Sequence, residues 1–116
     1  MKSYSLRVDG THAVLQLGDR PTPDAGAGQL LLKMHAAALN RGEFIPGGLI
    51  KGHEAKPAGI EGAGEIVALG AGVTGLQVGQ RVMGRCAGAF SEYAVMDARE
   101  ALPVPASLSM EAAAAV

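Results

Sequence analysis

The chain has 116 residues, 48% of them hydrophobic but only 3% aromatic and none Trp, so it makes one domain whose core must come from Val, Leu, Ile, Ala and Met. Ten Lys and Arg against eleven Asp and Glu leave a net charge of −1, and the basic residues are scattered singly, which argues against nucleic acid or an anionic membrane surface as partner. One cysteine, Cys86, excludes an internal disulfide and a multi-cysteine zinc site; the longest apolar run, residues 112–116, is far too short to span a bilayer, and no signal peptide is visible, so the default location is cytoplasmic.

Residues 3–8 and 13–17 alternate in polarity and predict two short strands turning at Asp9-Gly10. A loop with Pro21 and Pro23 follows over residues 18–28, then a mostly buried strand over 30–36. His35, inside that strand, reads as a core or edge histidine held by a hydrogen bond. Residues 40–58 lack sustained periodicity and contain Pro46, Gly47, Gly48, Gly52 and Pro57, which predicts an irregular loop, mobile at its middle. Later strands are expected at 60–69, 80–83 and 90–96. The pattern is mainly β, a small, partly open β-barrel without internal repeats. Near the end, Ser109 is a candidate N-cap with Glu111 in the first turn, and a helix begins over 112–116. That helix has no Gly or Asn C-cap and no basic last turn, so it is expected to be cut, and the chain to be a fragment of a larger protein.

Gly70-Ala71-Gly72-Val73-Thr74-Gly75 spells G-x-G-x-x-G after an apolar run of Ile66, Val67 and Leu69, as a dinucleotide-binding turn does. Such a turn needs a helix starting at its last glycines. Instead Leu76, Val78 and Val82 keep a period of two around Gly79, which predicts a second strand and no pyrophosphate cradle.

The same stretch resembles the N-terminal, GroES-like domain of the medium-chain dehydrogenase/reductase superfamily. Gly59, Glu61, Gly62, Gly64, Gly70, Val73, Gly79 and Val82 fall in step with that family's strand-turn-strand, with Gln80 where it usually has Asp. Pro21, Pro23, residues 26–32, Ala36-Ala37-Ala38-Leu39-Asn40, residues 88–95 and Leu102-Pro103-Val104-Pro105 continue the likeness in order. The resemblance implies a GroES-like, partly open β-barrel with short helices over residues 1–108. Residues 109–116 would start the interdomain helix leading to a nucleotide-binding Rossmann domain.

Zinc relatives in that superfamily take a Cys near the position of Asn40 and a His from a G-H-E motif. Here the matching residues are Asn40 and, within Gly59-Ile60-Glu61, an isoleucine, so zinc independence is expected. Gly52-His53-Glu54 spells the motif literally, but Pro57 stands where a glycine is required, and His53 reads as a solvated loop residue. The resemblance then implies the quinone oxidoreductase and enoyl reductase branch. There, hydride passes from NADP or NAD cofactor to a small carbonyl, enone or quinone substrate.

Asn40 matches the family's cleft asparagine and is the candidate catalytic residue, able to donate to a developing enolate oxygen; the alternative is a residue that only turns the chain. Asn40 and Arg41 are the candidate cofactor contacts. Glu43, Phe44, Ile45, Cys86 and Tyr93 are candidates for the substrate cleft, with Ala87 and Gly88 beside them. Glu43 stands where relatives often have Asp. Phe44 and Ile45 could equally be covered core residues, Glu61 reads as structural, and Tyr93 as packed inward with its hydroxyl bonded locally. Cys86 has no visible charge partner that would make it a nucleophile. By itself the chain is expected to bind no cofactor and to be inactive; the full-length protein is expected to be a homodimer. Two other readings remain: a non-enzymatic GroES-like module, co-chaperonin-like or scaffolding, and a short protein that pairs with a separate Rossmann partner.

Overall fold

The computed structural model describes residues 1–39 and 56–115. Strands β1 (Lys2–Asp9) and β2 (His12–Asp19) form an antiparallel hairpin in unbroken register, from Lys2 opposite Asp19 to Asp9 opposite His12. Because Asp9 is still paired, the turn falls on Gly10 and Thr11, one residue later than expected. Gly10 takes φ +60°, the first central position of a turn whose twist matches the flanking strands. A two-residue strand β4 (Lys56–Pro57) pairs with the other edge of β1, giving a three-stranded sheet in the order β2-β1-β4.

The second sheet has five antiparallel strands: β3 (Gln29–Ala37), β5 (Glu61–Leu69), β6 (Arg81–Arg85), β7 (Tyr93–Asp97) and β8 (Leu102–Pro103), in the order β7-β3-β5-β6-β8. The protein is mainly β, two open sheets that do not close into a full barrel. Two expected strands start late. Residues 90–92 bridge β3 and β1: Met34 N donates to Glu92 O at 2.9 Å, while Tyr4 N donates to Phe90 O at 2.9 Å and Glu92 N to Lys2 O at 3.0 Å. The buried Ser3 and Ser91 hydroxyls share a hydrogen bond of 2.7 Å at the same seam. The backbone at 76–80 is not strand either; Val78 is exposed, and the sheet resumes at Arg81. The G-x-G-x-x-G sequence is thus an irregular turn running into β6, with no helix after it.

Leu30, Leu32, Ile66, Val82, Ala94 and Met96 are buried between the strands. Their alternation along β3, β5 and β7 is the period-two signal in the sequence, and each large side chain contributes about 1.5–3 kcal/mol of transfer free energy. On another patch, Met110, Ala113 and Ala114 of the short helix α1 (Met110–Ala114) pack on Ala63 of β5. Ser109 caps that helix as expected, its Oγ accepting from Ala112 N at 3.1 Å. Among the described residues, no helix is long and apolar enough to cross a membrane.

Candidate functional site

Asn40, Arg41, Glu43, Phe44 and Ile45, with His53 and Glu54, lie outside the described residues, as does most of the expected loop 40–58. What is described is the frame that carries the chain to Asn40. Ala38 N donates to Glu61 O at 3.1 Å, tying the end of β3 to the start of β5. Cys86 N donates to Ile60 O at 2.8 Å, bringing the stretch after β6 to the same point. Ile60, the residue in the resemblance's zinc-histidine position, is 36% exposed and offers only an apolar side chain there.

The structure separates the two described cleft candidates. Cys86 is 3% exposed and belongs to the main core with Ile66 and Val82. Burial pushes its thiol up to about 12, and the nearby Glu61 carboxylate adds to the rise. A thiol held protonated in this way packs rather than attacks. Tyr93 starts β7 opposite Lys33 and is half-buried. It lines a cavity of about 140 Å3 with Pro21, Pro23, Pro57 and Val95, and Ala87 and Gly88 border the same space. No described residue hydrogen-bonds its hydroxyl, in place of the expected local bond.

His35 is exposed rather than held in the core. It is the extra residue of a β-bulge: Met34 pairs with Gly64 and Ala36 with Ala63, leaving His35 without an opposite number on β5. Beside it runs an open groove of about 680 Å3, with Tyr4, Leu15, Leu17, Met34, Leu39 and Phe90 in its apolar lining and Lys2 and Glu92 in its polar part. Leu17 is 53% and Leu39 76% exposed. Sequence reasoning missed this groove. The alternation of Ala13, Leu15 and Leu17 marks one apolar face of β2, but which surface that face meets depends on the seam between β1 and residues 90–92.

The five-segment resemblance is matched by comparison with known proteins. Residues 26–106 match the model of the alcohol dehydrogenase GroES-like domain. A trans-enoyl reductase from Penicillium citrinum is 36% identical over 112 residues, 84% of this chain and 30% of the relative. A mycobacterial protein solved in complex with NADPH superposes with a TM-score of 0.88 at 30% identity, covering 100% of this chain and 37% of the other. The quinone oxidoreductase of Coxiella burnetii superposes with a TM-score of 0.86 at 26% identity, over 100% of this chain and 40% of the other. The chain therefore spans only 30–40% of the length of these relatives.

Proposed function

The chain belongs to the medium-chain dehydrogenase/reductase superfamily through its alcohol dehydrogenase GroES-like domain, and from that premise we propose that it is the substrate-side domain of a zinc-independent NAD(P)H-dependent oxidoreductase. The carrying observation is the frame at the end of β3: Ile60, not a histidine, at the meeting point of β3, β5 and the Cys86 stretch, with Asn40 next in the chain. Neither residue in the positions of the zinc ligands is one that zinc favours. The substrate class is a quinone or an enone, as the relatives' names support.

A bound reduced nicotinamide would supply the hydride for an electron-poor C=C, leaving negative charge to develop on the conjugated oxygen. Asn40 donates its side-chain N–H to that oxygen, and solvent returns a proton to give the saturated ketone or the hydroquinone. Arg41 contacts the cofactor; Glu43, Phe44, Ile45 and Tyr93 form the substrate wall, with Cys86 filling the core behind it. The Gly-rich turn leads into a strand, and in this reading a nucleotide-binding domain reached through α1 holds the pyrophosphate. The full protein is a cytoplasmic homodimer in this reading, and residues 1–116 alone turn nothing over.

The test is NADPH oxidation by the full-length protein with 1,4-benzoquinone and with a trans-2-enal, before and after zinc chelation. Turnover that survives chelation, and that falls 10–100-fold in kcat for Asn40→Ala with little change in NADPH affinity, supports the reading. An unchanged rate in Asn40→Ala removes that residue from the chemistry. Full activity of residues 1–116 alone overturns the division of labour.

A further inference from the structure

We infer that the cavity beside Tyr93 is a binding site for a short carboxylate, held by the Arg20 guanidinium and the Tyr93 hydroxyl. The inference draws only on described residues and goes beyond the reading above, so its failure leaves that reading standing. The cavity measures about 140 Å3, with walls from residues 20–23, Pro57, residues 87–91 and β7. Backbone bonds fix those walls. Arg20 N donates to Met1 O at 2.9 Å, Gly88 N donates to Gly59 O at 3.0 Å, and Ala87 bridges to Val95. Gly88 and Ala94 are buried and form the floor, whereas Arg20, Pro21, Pro57 and Ala87 are exposed and form the mouth.

Charge selects the ligand. Among the described residues no Asp or Glu lines the cavity, and Arg20 brings its one charged side chain. Asp19, the neighbouring acid in sequence, pairs with Lys2 at 3.4 Å between Oδ1 and Nζ, and no described acid pairs with Arg20. The Ser91 hydroxyl is shared with Ser3 at 2.7 Å. The uncommitted side-chain donors among the described residues are therefore the guanidinium and the Tyr93 hydroxyl. Pro21, Pro23 and Pro57 add rigid apolar rings and no N–H.

A carboxylate accepts in about four lone-pair directions; a guanidinium fork fills two and a phenol O–H a third. A phosphate would leave several oxygens facing proline rings, and an ammonium would meet a like charge. The cavity holds roughly five waters' worth of volume at about 30 Å3 each, which suits the five heavy atoms of propionate. Its short alkyl end would lie against the prolines and Val95.

The test titrates propionate into isotope-labelled full-length protein and follows amide and tyrosine-ring chemical shifts, so it reads binding and not turnover. Propionamide, of the same shape without the charge, and inorganic phosphate are the comparators. Saturable shifts at Ala87, Gly88, Ala94 and Val95 are expected, with propionamide binding at least about 10-fold more weakly. Tyr93→Phe keeps the ring and Arg20→Gln much of the side-chain length, and each should raise the propionate Kd about 10-fold. Arg20 is exposed, so its variant carries the test should Tyr93→Phe disturb the fold.

No saturable shift means a void or a water site and overturns the inference. Equal binding of propionamide removes the charge from recognition, and tighter binding of phosphate overturns the carboxylate class. An unchanged Kd in both variants places the anion elsewhere and overturns the site. A wild type that binds propionate yet reduces neither acceptor upholds this inference and overturns the oxidoreductase reading alone.

Discussion

Gly70 and Gly72, two glycines of the G-x-G-x-x-G sequence, should respond very differently to alanine. Gly70 is jammed: a Cβ there would overlap the Gly26 carbonyl oxygen and stand 2.8 Å from Gln29 O. Moving away costs the bonds that hold the 26–29 turn to the end of β5, Gly70 N to Gln29 O at 2.7 Å and Gly28 N to Ala71 O at 2.9 Å. Overpacking of about 1–3 kcal/mol and two hydrogen bonds at about 1 kcal/mol each point to a loss of roughly 4 kcal/mol for Gly70→Ala. Gly72 is in open space at φ +80°. Gly72→Ala meets only the left-handed strain, about 1 kcal/mol. For a cooperative unit of this length, 1 kcal/mol corresponds to about 4 °C in Tm, so drops of roughly 16 °C and 4 °C are expected in thermal unfolding. Neither variant should alter NADPH affinity of the full-length protein beyond its loss of folded fraction. Equal or reversed Tm shifts refute the packing account; a selective loss of NADPH binding at 20 °C would restore the phosphate-cradle reading of the motif.

Cys86, with its thiol pushed up to about 12 by burial, should resist a disulfide reagent at pH 8 in the native protein and react fully once unfolded; rapid native labelling refutes its place in the core. Its linkage has a definite sign. The unfolded thiol ionises near its ordinary 9.0 while the folded one stays neutral to about 12, so stability should fall as pH rises through that window. Asp97 is held down to about 2, first by the side-chain hydrogen bond from Arg99 and then by its backbone N–H. Its stabilisation is therefore complete above the ordinary carboxylate value and lost as pH falls through about 2. An NMR titration should move it back toward 3.8 in Arg99→Ala, and an unmoved value would show that the pair does not form in solution. Ser109→Ala removes the cap on α1 and should cost about 1 kcal/mol in urea unfolding; no change would mean that packing on Ala63 alone holds the helix.

The parts of the fold written in local chemistry were legible in the sequence, and the parts decided across long separations were not. Leu30, Leu32 and Ile66 sit where a period of two puts them, and Ser109 caps the helix its own side chain reaches. Residues 90–92, read from the sequence as one strand with residues 93–96, are not part of β7. Their backbone bonds are divided among β1, Ala58 and Met34, and no local pattern announces partners almost ninety residues earlier. The bulge was hidden for the same reason. His35 looks like any mid-strand residue until its run is set against Gly62 and Gly64, whose missing side chains let the two strands close. Those glycines were visible as part of a family resemblance, while their physical role was not. The candidate site divides along the same line: the residue types at 40 and 60 could be read directly from the chain. Whether a neighbour such as Cys86 faces a cleft or fills the core depends on the sheet above it, and only the assembled strands settle that in favour of the core.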